Sequence, residues 1–263
     1  MLGAIIGDIV GSPYEFGSHK RKEFLFYQSG CRPTDDSVMT IAVGCACASA
    51  NCHNEQEFKR TLIDIMREIG RQYPYAGYGG MFYSWLMSDD GKPYGSYGNG
   101  SAMRVSPVAW TVDTLEEVET LAKWSAEVTH DHPEGIKGAQ AIASAIFLAR
   151  TGADKDEIRA YIEANYYDLD FSLEEIRPNY GFDVTCQGSV PQAIVCFLES
   201  TDFEDTIRNA VSLGGDCDTQ AAMAGAIAEA YYGIPDDLQE QAFDYMDETL
   251  TDYYWEYAEY LYR

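Results

Sequence analysis

Three stretches of this chain carry more small residues than helix stability alone requires. They are Ala42, Gly44, Ala46 and Ala48; then Gly138, Ala139, Ala141, Ala143 and Ala145; then Ala221, Ala222, Ala224, Gly225, Ala226 and Ala228. The opening segment adds Gly3, Gly7 and Gly11, spaced four apart and so aligned on one helical stripe. Small faces let helix axes approach closely, so these segments are predicted to form the buried centre of a helical bundle. Tight packing is enough to explain the Ala and Gly. It leaves unexplained the acids placed at the mouths of the same helices.

Apolar residues elsewhere also recur at helical spacing, predicting helices over 35–50, 55–70, 114–128, 134–150, 155–165, 188–199, 203–213, 218–232 and 237–262. Thr114 and Glu117 have the spacing of a capping box for the third, and Gly152 closes the fourth. Phe24–Tyr27 is the one strand candidate. With 263 residues, no internal repeat and no low-complexity linker, one all-α domain spanning 1–263 is expected.

Two segments, 71–103 and 166–187, are rich in Gly, Tyr, Asn, Pro and Asp and are expected to be functional loops. Their aromatics (Tyr75, Tyr78, Phe82, Tyr83, Trp85, Tyr94, Tyr97 and Tyr180) favour ordered pocket walls. The C-terminal helix carries Tyr245, Tyr253, Tyr254, Trp255, Tyr257, Tyr260 and Tyr262 among many acids. An amphipathic face docked on the core is expected there, with a partner interface as the alternative.

The 18 Lys and Arg against 43 Asp and Glu give a net charge of −25, which argues against broad contact with nucleic acid or an anionic membrane. A hydrophobic fraction of 46% excludes a disordered acidic chain. Met1–Val10 is apolar but short, lacks basic residues and is interrupted by Asp8, so it reads as neither signal peptide nor span. No later stretch reaches about 18 uninterrupted apolar residues. The seven cysteines form no C-x-x-C pair, and several sit in Ala-rich helical text as small core residues. Reduced thiols, a cytoplasmic location and a monomer are expected.

The strongest chemical signal is a pair of acid clusters, each opening an Ala-rich helix: Thr34-Asp35-Asp36-Ser37 and Gly214-Gly215-Asp216-Cys217-Asp218-Thr219. One alone would be a helix cap. Two of them leading into close-packing helices would bring four carboxylates and the Thr34 and Thr219 hydroxyls into a small volume. Such a set repels itself and takes up protons or cations. All-oxygen ligands suit Mg²⁺ or Mn²⁺ and, less well, Ca²⁺. Four acids also fit a two-metal centre with about 3.5–4 Å between ions.

Three further segments fit beside such a centre. Glu15 follows Gly7-Asp8-Ile9-Val10-Gly11-Ser12-Pro13. Gly98-Asn99-Gly100-Ser101-Ala102-Met103-Arg104 is first of all a turn, whose bare backbone N–H groups could approach phosphate or ribose. In Thr129-His130-Asp131-His132-Pro133 the histidines serve as helix caps or as substrate contacts, and their spacing resembles a zinc pair only superficially.

Taken together and in this order, the motifs resemble those of the ADP-ribosylglycohydrolases. The resemblance implies a compact orthogonal helical bundle with two Mg²⁺ (or Mn²⁺) ions at the base of a cleft. Thr34, Asp35 and Asp36 then match the first ligand group, and Asp216, Asp218 and Thr219 the second. Glu15 matches a mobile glutamate that reaches the metals or gates the cleft. Gly98, Asn99, Gly100, Ser101 and Met103 match the loop that cradles the phosphates and distal ribose of ADP-ribose, with His130 at its border. Ser37 stands where Thr is common and Ser101 where Ala is common. Short gaps between motifs leave little room for accessory elements that grip a protein.

The implied reaction hydrolyses the glycosidic bond at the distal ribose C1″ through an oxocarbenium-like state and releases ADP-ribose. The ions would bind the ribose hydroxyls and acidify a water, and a carboxylate would accept its proton. Glu15, Asp35, Asp36 and Asp218 are the candidates, Glu15 first. The implied partner is an ADP-ribosylated protein or a small ADP-ribose conjugate. Acidic charge leans toward ADP-ribosyl-arginine over ADP-ribosyl-serine or O-acetyl-ADP-ribose. Two alternatives stand: a catalytically silent ADP-ribose-binding relative, and a dinuclear phosphoesterase or pyrophosphatase. The latter benefits from a phosphate-gripping cation, and only Arg104 adjoins a motif.

Overall fold

The computed structural model describes residues 1–17 and 19–261, and the regular elements among them are helices. They are α1 (Leu2–Gly11), α2 (Asp35–Ser49), α3 (Glu55–Gln72), α4 (Gly80–Met87), α5 (Gly100–Met103), α6 (Val108–Thr111), α7 (Leu115–Glu127) and α8 (Pro133–Arg150). The chain continues through α9 (Lys155–Asn165), α10 (Leu173–Ile176), α11 (Cys186–Leu198), α12 (Phe203–Val211), α13 (Cys217–Tyr232), α14 (Asp236–Phe243) and α15 (Glu248–Leu261). The expected all-α architecture is what the chain adopts.

The glycine stripe decides how the centre is assembled. Every residue of α1 is buried, and the helix lies along α13. A Cβ on Gly7 would collide with the Ala221 carbonyl, and one on Gly11 with the Asp218 Cα; Gly3 and Gly225 meet backbone to backbone. Close approach at this crossing therefore needs the missing side chains. α8 and α11 also pack on α13, completing a small-residue centre inside one contiguous apolar core.

The expected caps form. Thr114 and Glu117 form a reciprocal capping box, and Gly152 turns the chain with φ +93°. Two expectations fail. Phe24–Tyr27 forms no strand: the Arg208 guanidinium donates to Lys22 O and Phe24 O, each at 2.9 Å, and lies over the Phe24 ring, so a side chain takes the place of a ladder. The single helix expected over 237–262 is two helices. Asp247 Oδ1 accepts from Leu250 N (2.8 Å) and the Tyr73 hydroxyl (2.8 Å), so one of the acids of this segment caps a new helix.

The segments expected as loops contain α4, α5 and α10. α4 is anchored by Phe82, Trp85 and Leu86 at helical spacing. α15 docks on α2 as expected, with Tyr257 buried and its hydroxyl donating to Pro107 O at 2.7 Å. Tyr262, also assigned to that helix from sequence, lies outside the described residues. All seven cysteines are unpaired thiols. Among the described residues no helix is long and apolar enough to cross a membrane.

Candidate metal centre and substrate turn

The crossing of α1 with α13 also brings the acids together. Gly11 rests on Asp218, and Asp8 lies one turn earlier on α1, fully buried. Asp8 accepts four hydrogen bonds from the start of α2: Thr34 N (2.8 Å), Thr34 Oγ1 (2.6 Å), Ser37 N (3.0 Å) and Ser37 Oγ. An acid on one helix thus caps another and fixes where Asp35 and Asp36 emerge. Two consecutive glycines, Gly214 (φ +68°) and Gly215 (φ +74°), swing the chain into α13; a Cβ on Gly215 would stand 2.6 Å from Gly181 O.

Two triads of carboxylates result. Asp8, Asp36 and Asp218 offer oxygens all within 4.8 Å of one another, and so do Glu15, Asp216 and Asp218. Asp218 belongs to both. Thr219 Oγ1 donates to Asp36 Oδ2 at 3.2 Å, and the Thr34 hydroxyl lies 3.4 Å from the same oxygen. Asp36 Oδ1 is buried and accepts no hydrogen bond among the described residues. Asp35 stands outside both triads, partly exposed, with Oδ1 3.1 Å from where a Cβ on Gly77 would sit.

Electrostatics follow from this crowding. Burial and the Asp8 charge push the Asp35 carboxyl up to about 8. Asp36 rises well above the usual carboxylate range through burial, then Asp8 and Asp218; Asp218 does so through burial, then Asp216 and Glu15. Glu15, Asp216 and Asp8 are raised mainly by burial, which donated hydrogen bonds partly offset at each. A buried acceptor with no donor, inside a ring of acids that repel one another, fits a hard cation bound by oxygen. With neither His nor Cys in the triads, the donor set suits Mg²⁺ or Mn²⁺ over zinc.

The glycine turn meets this centre through Asn99. Its Nδ2 donates to Asp216 Oδ2 (2.6 Å) and to Ser189 Oγ (3.2 Å). Gly98 and Gly100 face His130: a Cβ on Gly100 would lie 3.1 Å from His130 Nε2. Met103 is buried behind the turn. The Ser101 hydroxyl points elsewhere, donating to Gly135 O at 2.7 Å. His132 Nδ1 accepts from Glu134 N and caps α8, so the two histidines serve different partners. Of the expected aromatic walls, Tyr94 lies 5.9 Å from the His130 ring, and Tyr180 accepts from Gln220 of α13 at 3.2 Å. Tyr75 and Tyr97 face solvent. An open groove of about 340 Å³ lined by Arg32, Pro33, Tyr75 and Leu250 is bounded by none of the triad acids.

Sequence reasoning did not single out Asp8 as a site residue. The signal was present: one carboxylate in an otherwise apolar ten-residue helix, beside Gly7. Buried acids of that kind are rare unless partnered.

A helical fold with two facing acidic helix mouths defines a candidate cation site, and comparison with known proteins specifies the family. The family model for ADP-ribosylglycohydrolase matches residues 1–263, and the chain belongs to that family. It is similar to ADP-ribosylhydrolase ARH3 of Homo sapiens, at 27% identity over 93% of this chain and 88% of that protein. The Gallus gallus protein of the same name is 29% identical over 89% and 84%. ADP-ribosylarginine hydrolase Tri1 of Pseudomonas putida is 28% identical over 89% of this chain and 70% of its own. A solved ADP-ribosylglycohydrolase-related protein complex superposes with TM-score 0.70 at 21% identity, covering 100% of this chain and 96% of that one, which establishes the shared fold.

Proposed function

We propose that this chain is a metal-dependent hydrolase that cleaves the glycosidic bond at the distal ribose C1″ of ADP-ribosylated substrates and releases ADP-ribose. The observation that carries the proposal is the pair of carboxylate triads sharing Asp218, one of which contains the donorless Asp36 Oδ1. Two Mg²⁺ ions, or Mn²⁺, would be held by Asp36, Asp216 and Asp218, with Asp35, Thr34 and Thr219 completing the oxygen set and Asp8 positioning the first group. Bound there, the ions supply Lewis-acid polarisation of ribose hydroxyls and of the attacking water.

The remaining work falls to the chain's own side chains. Glu15, half-buried beside Asp216 and Asp218, takes the water's proton onto its carboxylate. Asp35 and Asp36 supply negative charge near the carbon that becomes oxocarbenium-like. Asn99 holds Asp216 by a 2.6 Å hydrogen bond, and the Gly98–Gly100 turn lets a ligand approach the backbone. Arg104 cannot serve as the phosphate grip of a phosphoesterase: it is fully buried and bonds Ser125 O and Thr129. Retention of both acid clusters speaks against a silent relative.

The favoured substrate is ADP-ribosyl-arginine, supported by the net charge of −25 and by the arginine-directed name of the Pseudomonas putida relative. A monomeric, one-domain cytoplasmic enzyme fits seven free thiols and one continuous core. The test is chromatographic release of ADP-ribose from an arginine-ADP-ribosylated protein and a serine-ADP-ribosylated peptide, with Mg²⁺ and with EDTA. Release from the arginine conjugate that EDTA abolishes is expected. AMP as the product would place cleavage at the phosphoanhydride, and neither release nor ADP-ribose binding would sink the assignment.

A further inference from the structure

Among the described residues Arg104 is the largest fully buried side chain, and no carboxylate pairs with it. Its Nη2 donates to Ser125 O (3.0 Å) and to Thr129 Oγ1 (2.8 Å), while Nε and Nη1 find no acceptor among the described residues. Leaving a guanidinium buried so poorly satisfied is costly, so its position calls for a reason. Thr129 provides one. Its hydroxyl is fully buried and lies 2.7 Å from His130 Nδ1.

Proton bookkeeping along this chain has one satisfactory solution. A guanidinium can only donate, so the Thr129 oxygen accepts from Arg104. The hydroxyl hydrogen then needs an acceptor, and His130 Nδ1 is the one in reach among the described residues. Were Nδ1 to carry a hydrogen instead, Thr129 would accept twice and its own buried hydrogen would be orphaned. From this geometry we infer that Arg104 and Thr129 are positioning residues that hold His130 as the neutral tautomer protonated on Nε2. The positive charge beside it and its burial also disfavour a second proton on the ring.

Nε2–H faces Gly98 and Gly100 and makes no hydrogen bond to the protein among the described residues. It is a fixed donor aimed at whatever oxygen lies on the turn. Resting on the proposed function, that ligand is a ribose hydroxyl or phosphate oxygen of ADP-ribose. A neutral donor serves a site whose other side must bind cations, because an imidazolium would compete with them for the acids. On this inference His130 serves as a substrate contact, while His132 caps α8.

The test reads the tautomer directly. The chain has four histidines, so long-range ¹H–¹⁵N correlation spectra of the intact protein can be assigned with His130→Gln. The wild type should show His130 protonated on Nε2 and not titrating between about pH 5.5 and 8. Thr129→Val should convert it to the Nδ1–H form or a mixture and weaken calorimetric binding of free ADP-ribose with Mg²⁺ about tenfold, whereas Thr129→Ser should restore both. Wild-type protonation on Nδ1, or a Thr129→Val spectrum unchanged from wild type, would overturn the inference. The wild-type spectrum decides the tautomer even should Thr129→Val misfold, with Thr129→Ser as the second variant. Absence of ADP-ribose binding by wild-type protein would instead count against the proposed function and leave the tautomer result standing.

Discussion

The acid centre and the buried Arg104–Thr129–His130 chain are neighbours built on opposite principles. In the first, five carboxylates are held together against their own repulsion, and Asp36 Oδ1 has no donor. In the second, a cation without a carboxylate sits behind a hydroxyl and a neutral imidazole. Asn99 is the junction, on the glycine turn by its backbone and on Asp216 by its side chain. One side leaves a buried carboxylate oxygen without a donor; the other leaves two guanidinium nitrogens without acceptors and offers an imidazole donor. A ligand with hydroxyls at one end and anionic oxygens at the other matches that division.

The largest effect should come from breaking the shared acid. Asp218→Asn is expected to lower ADP-ribose release on the order of 10²–10³-fold, the scale of losing one preorganised electrostatic element. In EDTA the same variant should melt higher than wild type, because it removes a charge that burial and Asp216 both penalise. Near-normal turnover, or a lower melting temperature without metal, would show that the triads are a structural network and not a cation site.

Next in size is the pH response of the metal-free protein, which separates the two sides by sign. An acid whose folded pKa is raised binds more protons folded than unfolded, so stability falls as pH rises toward the folded value. Asp35, raised from the ordinary 3.8 to about 8, loses its contribution as pH climbs from about 4 to about 8, and Asp36 and Asp218, raised well above the usual carboxylate range, act in the same direction. His130 behaves oppositely: its folded pKa is depressed, so its contribution is lost only as pH drops below the ordinary value of 6.5. Thermal melts in EDTA should therefore fall by about 4 °C or more across pH 6–8, the shift of 1–2 kcal/mol at this chain length. Millimolar Mg²⁺ should flatten the slope. A flat profile in EDTA would mean that burial and mutual repulsion do not raise these carboxyls.

Much of this division is legible in the sequence, and what is not has a physical cause. The four-residue spacing of Gly3, Gly7 and Gly11 anticipated the close crossing on α13, and the two acid clusters anticipated the convergence at its mouth. Asp8 escaped notice as a site residue because its role depends on a partner helix 26 residues away, which no local pattern encodes. The same holds for Phe24–Tyr27, where Arg208 from α12 satisfies the Phe24 carbonyl that a strand would have paired. Asp247 had ordinary capping chemistry, hidden among other acids. Long-range side-chain-to-backbone bonds account for Asp8 and for Phe24–Tyr27, whereas helices, boxes and glycine stripes repeat within a few residues of themselves.

The smallest effect tests the junction. Asn99→Ala removes the donor to Asp216 while leaving the turn its backbone bonds, from Asn99 N to Val184 O (2.8 Å) and from Met103 N to Asn99 O (2.9 Å). Asp216 would then keep its place in the triad with Glu15 and Asp218 but lose the contact that orients it. Mg²⁺ affinity, read from calorimetry or from the Mg²⁺ dependence of melting, should weaken by about tenfold, the lower end of what an outer-shell hydrogen bond contributes. The His130 tautomer should not change, since its hydrogen-bond partner lies on Thr129. A tautomer that shifts together with Mg²⁺ affinity would show that the two sides are one coupled unit, and the contrast between them would have to be abandoned.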